Sequence, residues 1–227
     1  MLFRSFVNWK ATAKRSTDDL ELIVNEYEPE ARKNVWFFLD VGRNLEVGTT
    51  LNTALEDAID ITLALVRHFA QRGHRVGGTT YNAPAPDTFY PDSGSRQELI
   101  IARSLAQVEA TDTDEGLAQA VERVKGFLAR ENPLVFVVTR PEAATQDLLE
   151  GVRRVQTHAS TARRPVPVHV LAPEPEHRSP EEAIAHALRA REAGTVLAET
   201  APMLRVHRLR EGAKGLERAL AKGVMAR

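Results

Sequence analysis

The sequence predicts an α/β protein, a doubly wound and mostly parallel sheet of about six strands with helices on both faces. Short β-branched and aromatic runs at 20–27, 35–39, 75–81, 134–139, 166–171 and 204–209 read as strands. Helical periods lie between most of them, the alternation that builds right-handed crossovers on a parallel sheet. The run VWFFL at 35–39 is apolar on both faces, as a central strand covered by two layers must be. The 227 residues favour one large domain over two small ones, and 43% apolar residues with 13 glycines are enough for a core.

Taken along the chain, Leu51, Leu55, Ile59 and Val66 recur at helical spacing. Thr53 and Glu56 are placed for a capping box, and Gly73 for the helix end. Residues 82–94, rich in Pro and Asp, read as a surface loop with a short strand at 88–90. Leu117, Val121, Val124 and Leu128 form the next stripe, stopped by Asn132-Pro133, and Leu148, Val152 and Val155 another. Ser179, Pro180 and Glu182 suit N-cap, N1 and N3 of a fourth helix whose Ile184 and Leu188 should face inward. Leu216 and Leu220 suggest a short last helix.

Composition excludes several chemistries. Thirty Lys and Arg against 31 Asp and Glu leave a formal charge of -1, which offers no footprint for nucleic acid or anionic membrane. Without cysteine there is no disulfide, thiolate nucleophile, Cys zinc site or iron–sulfur cluster. The seven histidines show no zinc-binding spacing, and no G-x-S-x-G elbow or P-loop is present. No apolar run is long enough to span a bilayer, and the first residues lack the apolar stretch of a signal peptide, so the expected place is the cytoplasm. Arg153, Arg154, Arg163 and Arg164 read as a solvated helix end.

In a doubly wound sheet, ligands bind beyond the carboxyl ends of the strands, which directs attention to 40–50, 80–95, 110–115, 139–144 and 172–179. At 35–44 the buried strand VWFFLD delivers Asp40 to that edge, ahead of a loop and the long helix. This resembles a von Willebrand factor A domain. The stretch WKATAK at 9–14, LELIVNEYEPE at 20–30, LDVGR at 39–43 and the GHRVG turn at 73–77 together resemble the DUF58 family. That resemblance implies a family-specific segment and strand over 1–30 and an A-type α/β domain over 31–227.

The resemblance also implies a cation site built from a D-x-S-x-S loop, a later threonine and a late aspartate, oxygen ligands for a hard ion. Asp40 matches the first aspartate. Gly42 and Asn44 stand for the serines, Thr111 or Thr113 for the threonine, and Thr139-Arg140 follows the strand that should end in the late aspartate. Asp40, Asn44 and Thr111 are the candidate ligands if Mg2+ or Mn2+ is held, but the expectation is no cofactor. Asp40 could equally cap its turn, and Thr111, Asp112 and Thr113 could be N-cap residues of a helix starting near Glu115. Trp9 reads as a packing anchor.

The expected function is a non-enzymatic protein-interaction module using Asp40, Asn44, Thr111 and Arg140. The family resemblance implies a MoxR-type ATPase as partner, through which the chain would reach a membrane. The alternative is a metal-dependent hydrolase or phosphotransferase using Asp40. Adjacent strands lie about 4.8 Å apart, so Asp40 and Arg140, at the tips of neighbouring strands, are expected to form an ion pair that replaces the cation.

Overall fold

The computed structural model describes residues 5–7, 24–26, 32–49, 52–111, 113, 115–159, 166–177, 179–201 and 203–221. They fall into two compact units, Met1–Arg32 and Lys33–Arg227. In the first, strands Ser5–Val7 and Val24–Glu26 pair antiparallel. Trp9 lies outside the described residues.

The second unit contains a six-stranded sheet: β1 Asn34–Asp40, β2 Arg75–Tyr81, β3 Thr88–Asp92, β4 Leu134–Val138, β5 Val168–Pro173 and β6 Leu204–Leu209. Its order is β3-β2-β1-β4-β5-β6, parallel throughout except for β3, which returns antiparallel on β2. Pro91 is tolerated in β3 because that strand is at the edge. The helices are α1 Ala54–Gln71, α2 Ser95–Leu105, α3 Leu117–Glu131, α4 Thr145–Ala159, α5 Pro180–Thr200 and α6 Gly212–Ala221. Among the described residues, no helix is long and apolar enough to cross a membrane.

β1 shows why the unit has two cores. Val35 to Leu39 have no exposed surface, and strand alternation sends them to opposite faces. Val35, Phe37 and Leu39 join the core under α1, α2 and α6, whereas Trp36 and Phe38 join the one under α3, α4 and α5. Each such side chain contributes roughly 1.5–3 kcal/mol of burial, which makes this strand the centre of the fold. Gly78 on β2 leaves room for Phe37, whose ring would collide with a Cβ placed there.

Local signals hold at the expected helix ends. Thr53 and Glu56 form the capping box of α1, Gly73 follows it at φ +78°, and Asn132 ends α3 in the left-handed region. Ser179 caps α5 by accepting from the Glu182 N–H. α2 carries only a weak sequence signal, because its buried stripe is Gln97, Ile101 and Leu105 while Leu99 and Ile100 face out. The Gln97 amide is nonetheless satisfied, donating to the carbonyls of Val76 and Tyr90.

On α5, Ile184 and Leu188 do not face inward; they are 63% and 56% exposed. The buried face is His186, Ala190, Ala193 and Leu197. Small alanines let the helix backbone lie close to the layer beneath, so the larger aliphatic side chains are left outside.

Candidate functional site at the strand tips

β1 and β4 are neighbours, but the helices that follow them, α1 and α4, cover opposite faces, so a crevice opens between their carboxyl ends. Asp40 closes β1 at its floor, with no exposed surface. Its Oδ1 accepts from the Gly42 backbone N–H at 2.9 Å and from Asn82 Nδ2 at 2.7 Å. Its Oδ2 accepts from Asn44 Nδ2 at 3.0 Å and from Thr139 Oγ1 at 2.7 Å. A carboxylate has about four lone-pair positions, and all four are engaged by neutral donors.

These bonds draw four loops to one point. After β1 the chain passes Gly42 and makes a 3-10 turn at Arg43–Leu45, which aims Asn44 back at Asp40. Thr111 bridges Gly42: its N–H donates to Val41 O, its carbonyl accepts from the Arg43 N–H, and its hydroxyl donates to Asn82 O. Asn82 follows β2 at φ +59°, a conformation that asparagine tolerates better than most residues, and its N–H donates to Glu115 O. Burial pushes the neighbouring Tyr81 phenol well above its ordinary value, and the Asp40 charge adds to the push.

Asp40, Asn44 and Thr111 are therefore brought together, and Asn82 and Thr139 join them. Sequence reasoning pointed to residues 80–95 without singling out Asn82; its signal was an asparagine immediately after a strand. Thr111, not Thr113, is stitched into the strand-tip loops. The N-cap reading of these threonines is corrected: α3 starts at Leu117 after Gly116, and the Leu117 N–H is capped by Asp147 of α4. Asp112, Arg163 and Arg164 lie outside the described residues. Arg154 pairs with Glu150 along α4.

The expected Asp40–Arg140 ion pair does not form. Arg140 is only 5% exposed, but its Nε donates to Glu142 Oε1 at 2.8 Å and its Nη1 to Asn44 O at 2.9 Å. The guanidinium engages the Asn44 carbonyl and Glu142 instead, and Thr139, one residue earlier, takes the place beside Asp40. Glu142 Oε1 also lies 3.0 Å from His186 Nε2. Burial opposes the charge on Glu142, but its own backbone N–H, Arg140 and His186 outweigh it and hold its pKa below the usual range. Burial lowers the His186 pKa against the pull of Glu142, so a neutral imidazole donates its Nε2–H here.

The donor set does not suit a divalent ion. Asp40 presents no free lone pair, and the two amides aim N–H groups at it rather than carbonyl oxygens. Gly42 lacks the hydroxyl that the family's loop would supply. Beside Asp40 there is a cleft of about 340 Å³, lined in part by Val41, Thr80, Asp87, Ser104, Val108 and Thr111.

The family model described as "Protein of unknown function DUF58" matches residues 4–205. No curated protein matches the chain. Among solved structures, the chain is similar to a von Willebrand factor type A protein from Catenulispora acidiphila, at TM-score 0.52 and 10% identity over 86% of this chain and 42% of that one. It is similar to an aerotolerance-related membrane protein from Bacteroides fragilis, at TM-score 0.51 and 14% identity over 83% and 97%. It also resembles the manganese-loaded TRAP protein of Plasmodium vivax, at TM-score 0.52 and 12% identity over 85% and 72%. The chain thus spans less than half of the first of these proteins. At such identities the likeness establishes the von Willebrand factor A fold.

Proposed function

The chain belongs to the DUF58 family, and from that premise we propose that it is a non-enzymatic protein-interaction module whose strand-tip surface binds a partner protein. One observation carries this reading: Asp40, the acidic group at the crevice floor, is buried and saturated with hydrogen bonds. Such a group organises loops rather than reacting. Around it Asn44, Thr111 and Arg140 fix the shape of the rim, and the adjoining cleft offers an apolar wall with polar edges for a partner's side chain. The family resemblance supports a MoxR-type ATPase as that partner, and a cytoplasmic place from which the ATPase could bring the module to a membrane. Hydrolysis or phosphoryl transfer by Asp40 lacks support, because the carboxylate has no lone pair left for a metal or for nucleophilic attack.

The test is site-specific photo-crosslinking in native extract. A crosslinker at Ser104, in the cleft, should capture a MoxR-type ATPase. One at Glu131, which bonds Asn34 at the opposite end of the sheet, should not. Blocking the cleft with Gln107→Trp should abolish the adduct. Equal capture from both positions would overturn the surface assignment. Metal-dependent turnover of phosphatase, nuclease or esterase substrates that Asp40→Ala abolishes would overturn the non-enzymatic reading.

A further inference from the structure

We infer that the carboxamides of Asn44 and Asn82 stand where a divalent cation would be held, and make the strand tips a metal-independent clamp. Each amide puts one N–H on a different oxygen of Asp40, so together they bind the buried carboxylate from both sides. Turning either amide over would set its carbonyl against a carboxylate oxygen at 2.7–3.0 Å, a repulsive contact. Asn82 is further fixed by its own backbone, whose N–H and carbonyl are both bonded.

Gly42 supplies an independent observation. A Cβ built there would lie 2.6 Å from Asn44 Oδ1 and 3.1 Å from both Asn82 Nδ2 and Asp40 Oδ1. The glycine thus opens the space in which the two amides and the carboxylate converge; a serine side chain and the Asn44 amide cannot share it. The replacement of two hydroxyl positions by Gly42 and Asn44 is one coordinated change, completed by Asn82 from β2. Arg140 acts in the same direction by holding Asn44 through its carbonyl.

The inference concerns metal and amides only and does not depend on partner binding, which the crosslinking measures separately. The full chain is titrated with Mn2+ and Mg2+, following Tm by calorimetry and the Gly42 amide signal by NMR. The wild-type Tm should not move, and millimolar Mn2+ should not selectively broaden Gly42. Asn82→Asp exchanges an N–H donor for a second carboxylate facing Asp40 and should gain saturable Mn2+ binding at least about tenfold tighter than wild type. Asn44→Asp makes the same exchange from the other loop and serves if Asn82→Asp does not fold. Millimolar or tighter binding by wild type, lost in Asp40→Asn, would overturn the inference. So would failure of the folded aspartate variants to gain any metal response.

Discussion

Acidification should destabilise the fold in part through the buried His169 of β5. It has no exposed surface and lies between the Phe136 ring, 5.3 Å away centre to centre, and the His207 ring, stacked at 5.3 Å and 14°. His169 Nδ1 is 3.1 Å from His207 Nε2, while its own buried Nε2 has no hydrogen-bond partner among the described residues. The proton therefore belongs on Nδ1, donating to His207, since a proton on Nε2 would be an orphaned donor. A second proton must go to that Nε2. Burial, then the charges of His207 and Arg205, push the His169 pKa from 6.5 down to about 4.

The unfolded chain takes up this proton near 6.5 and the folded chain near 4, so between those values the unfolded state binds more protons. Stability is fully present above 6.5 and declines as the pH falls through the interval. At about 1.4 kcal/mol per pH unit, the loss approaches roughly 3 kcal/mol at its lower end. Urea unfolding of wild type and His169→Phe, measured from neutral pH down to 4, isolates this share. Any overpacking by Phe is independent of pH, and the carboxylates and the histidines other than His207, which loses its His169 partner in the variant, titrate in both proteins. The stability difference should shift towards the variant by roughly 3 kcal/mol across the range, and the wild-type His169 Hε1 resonance should titrate near 4. Parallel decline of the two proteins, to within about 0.5 kcal/mol, would refute the reasoning.

Arg140→Ala should lose about 3–5 kcal/mol in urea unfolding at neutral pH, because it strips the principal counter-charge from the nearly buried Glu142; adding Glu142→Gln should recover part of it. Gly78→Ala should lower stability by about 1–3 kcal/mol, since the fully buried Phe37 ring must move, and an unchanged unfolding midpoint would contradict that packing. Thr53→Ala should cost about 1 kcal/mol by removing the capping box of α1, read as a lower thermal midpoint. Ile184→Ala and Leu188→Ala should each stay within about 0.5 kcal/mol of wild type; losses of about 2–5 kcal/mol would mean that they are core residues.

What the sequence determined by itself was local or periodic. VWFFL, short, aromatic and apolar on both faces, read as a strand covered by two layers, and capping residues or breakers marked ends of α1, α3 and α5, since these signals act over a few residues. Alternating elements then implied a doubly wound sheet, with Asp40 at the carboxyl edge of its strands. Helix α2 stayed hidden because its buried stripe begins with a glutamine satisfied by two carbonyls distant in sequence. The orientation of α5 was misread because alanines, not its larger aliphatics, make the close contact. The strand-tip site was half legible: Asp40, Asn44 and Thr111 could be named from spacing and resemblance. Only the tertiary structure decided that Asn82 and Thr139, 42 and 99 residues from Asp40, complete its hydrogen bonds while Arg140 turns to Glu142. Adjacency of strand tips limits which groups can meet. Which of them do is settled by competition among donors for a carboxylate with four places, a competition that sequence spacing does not record.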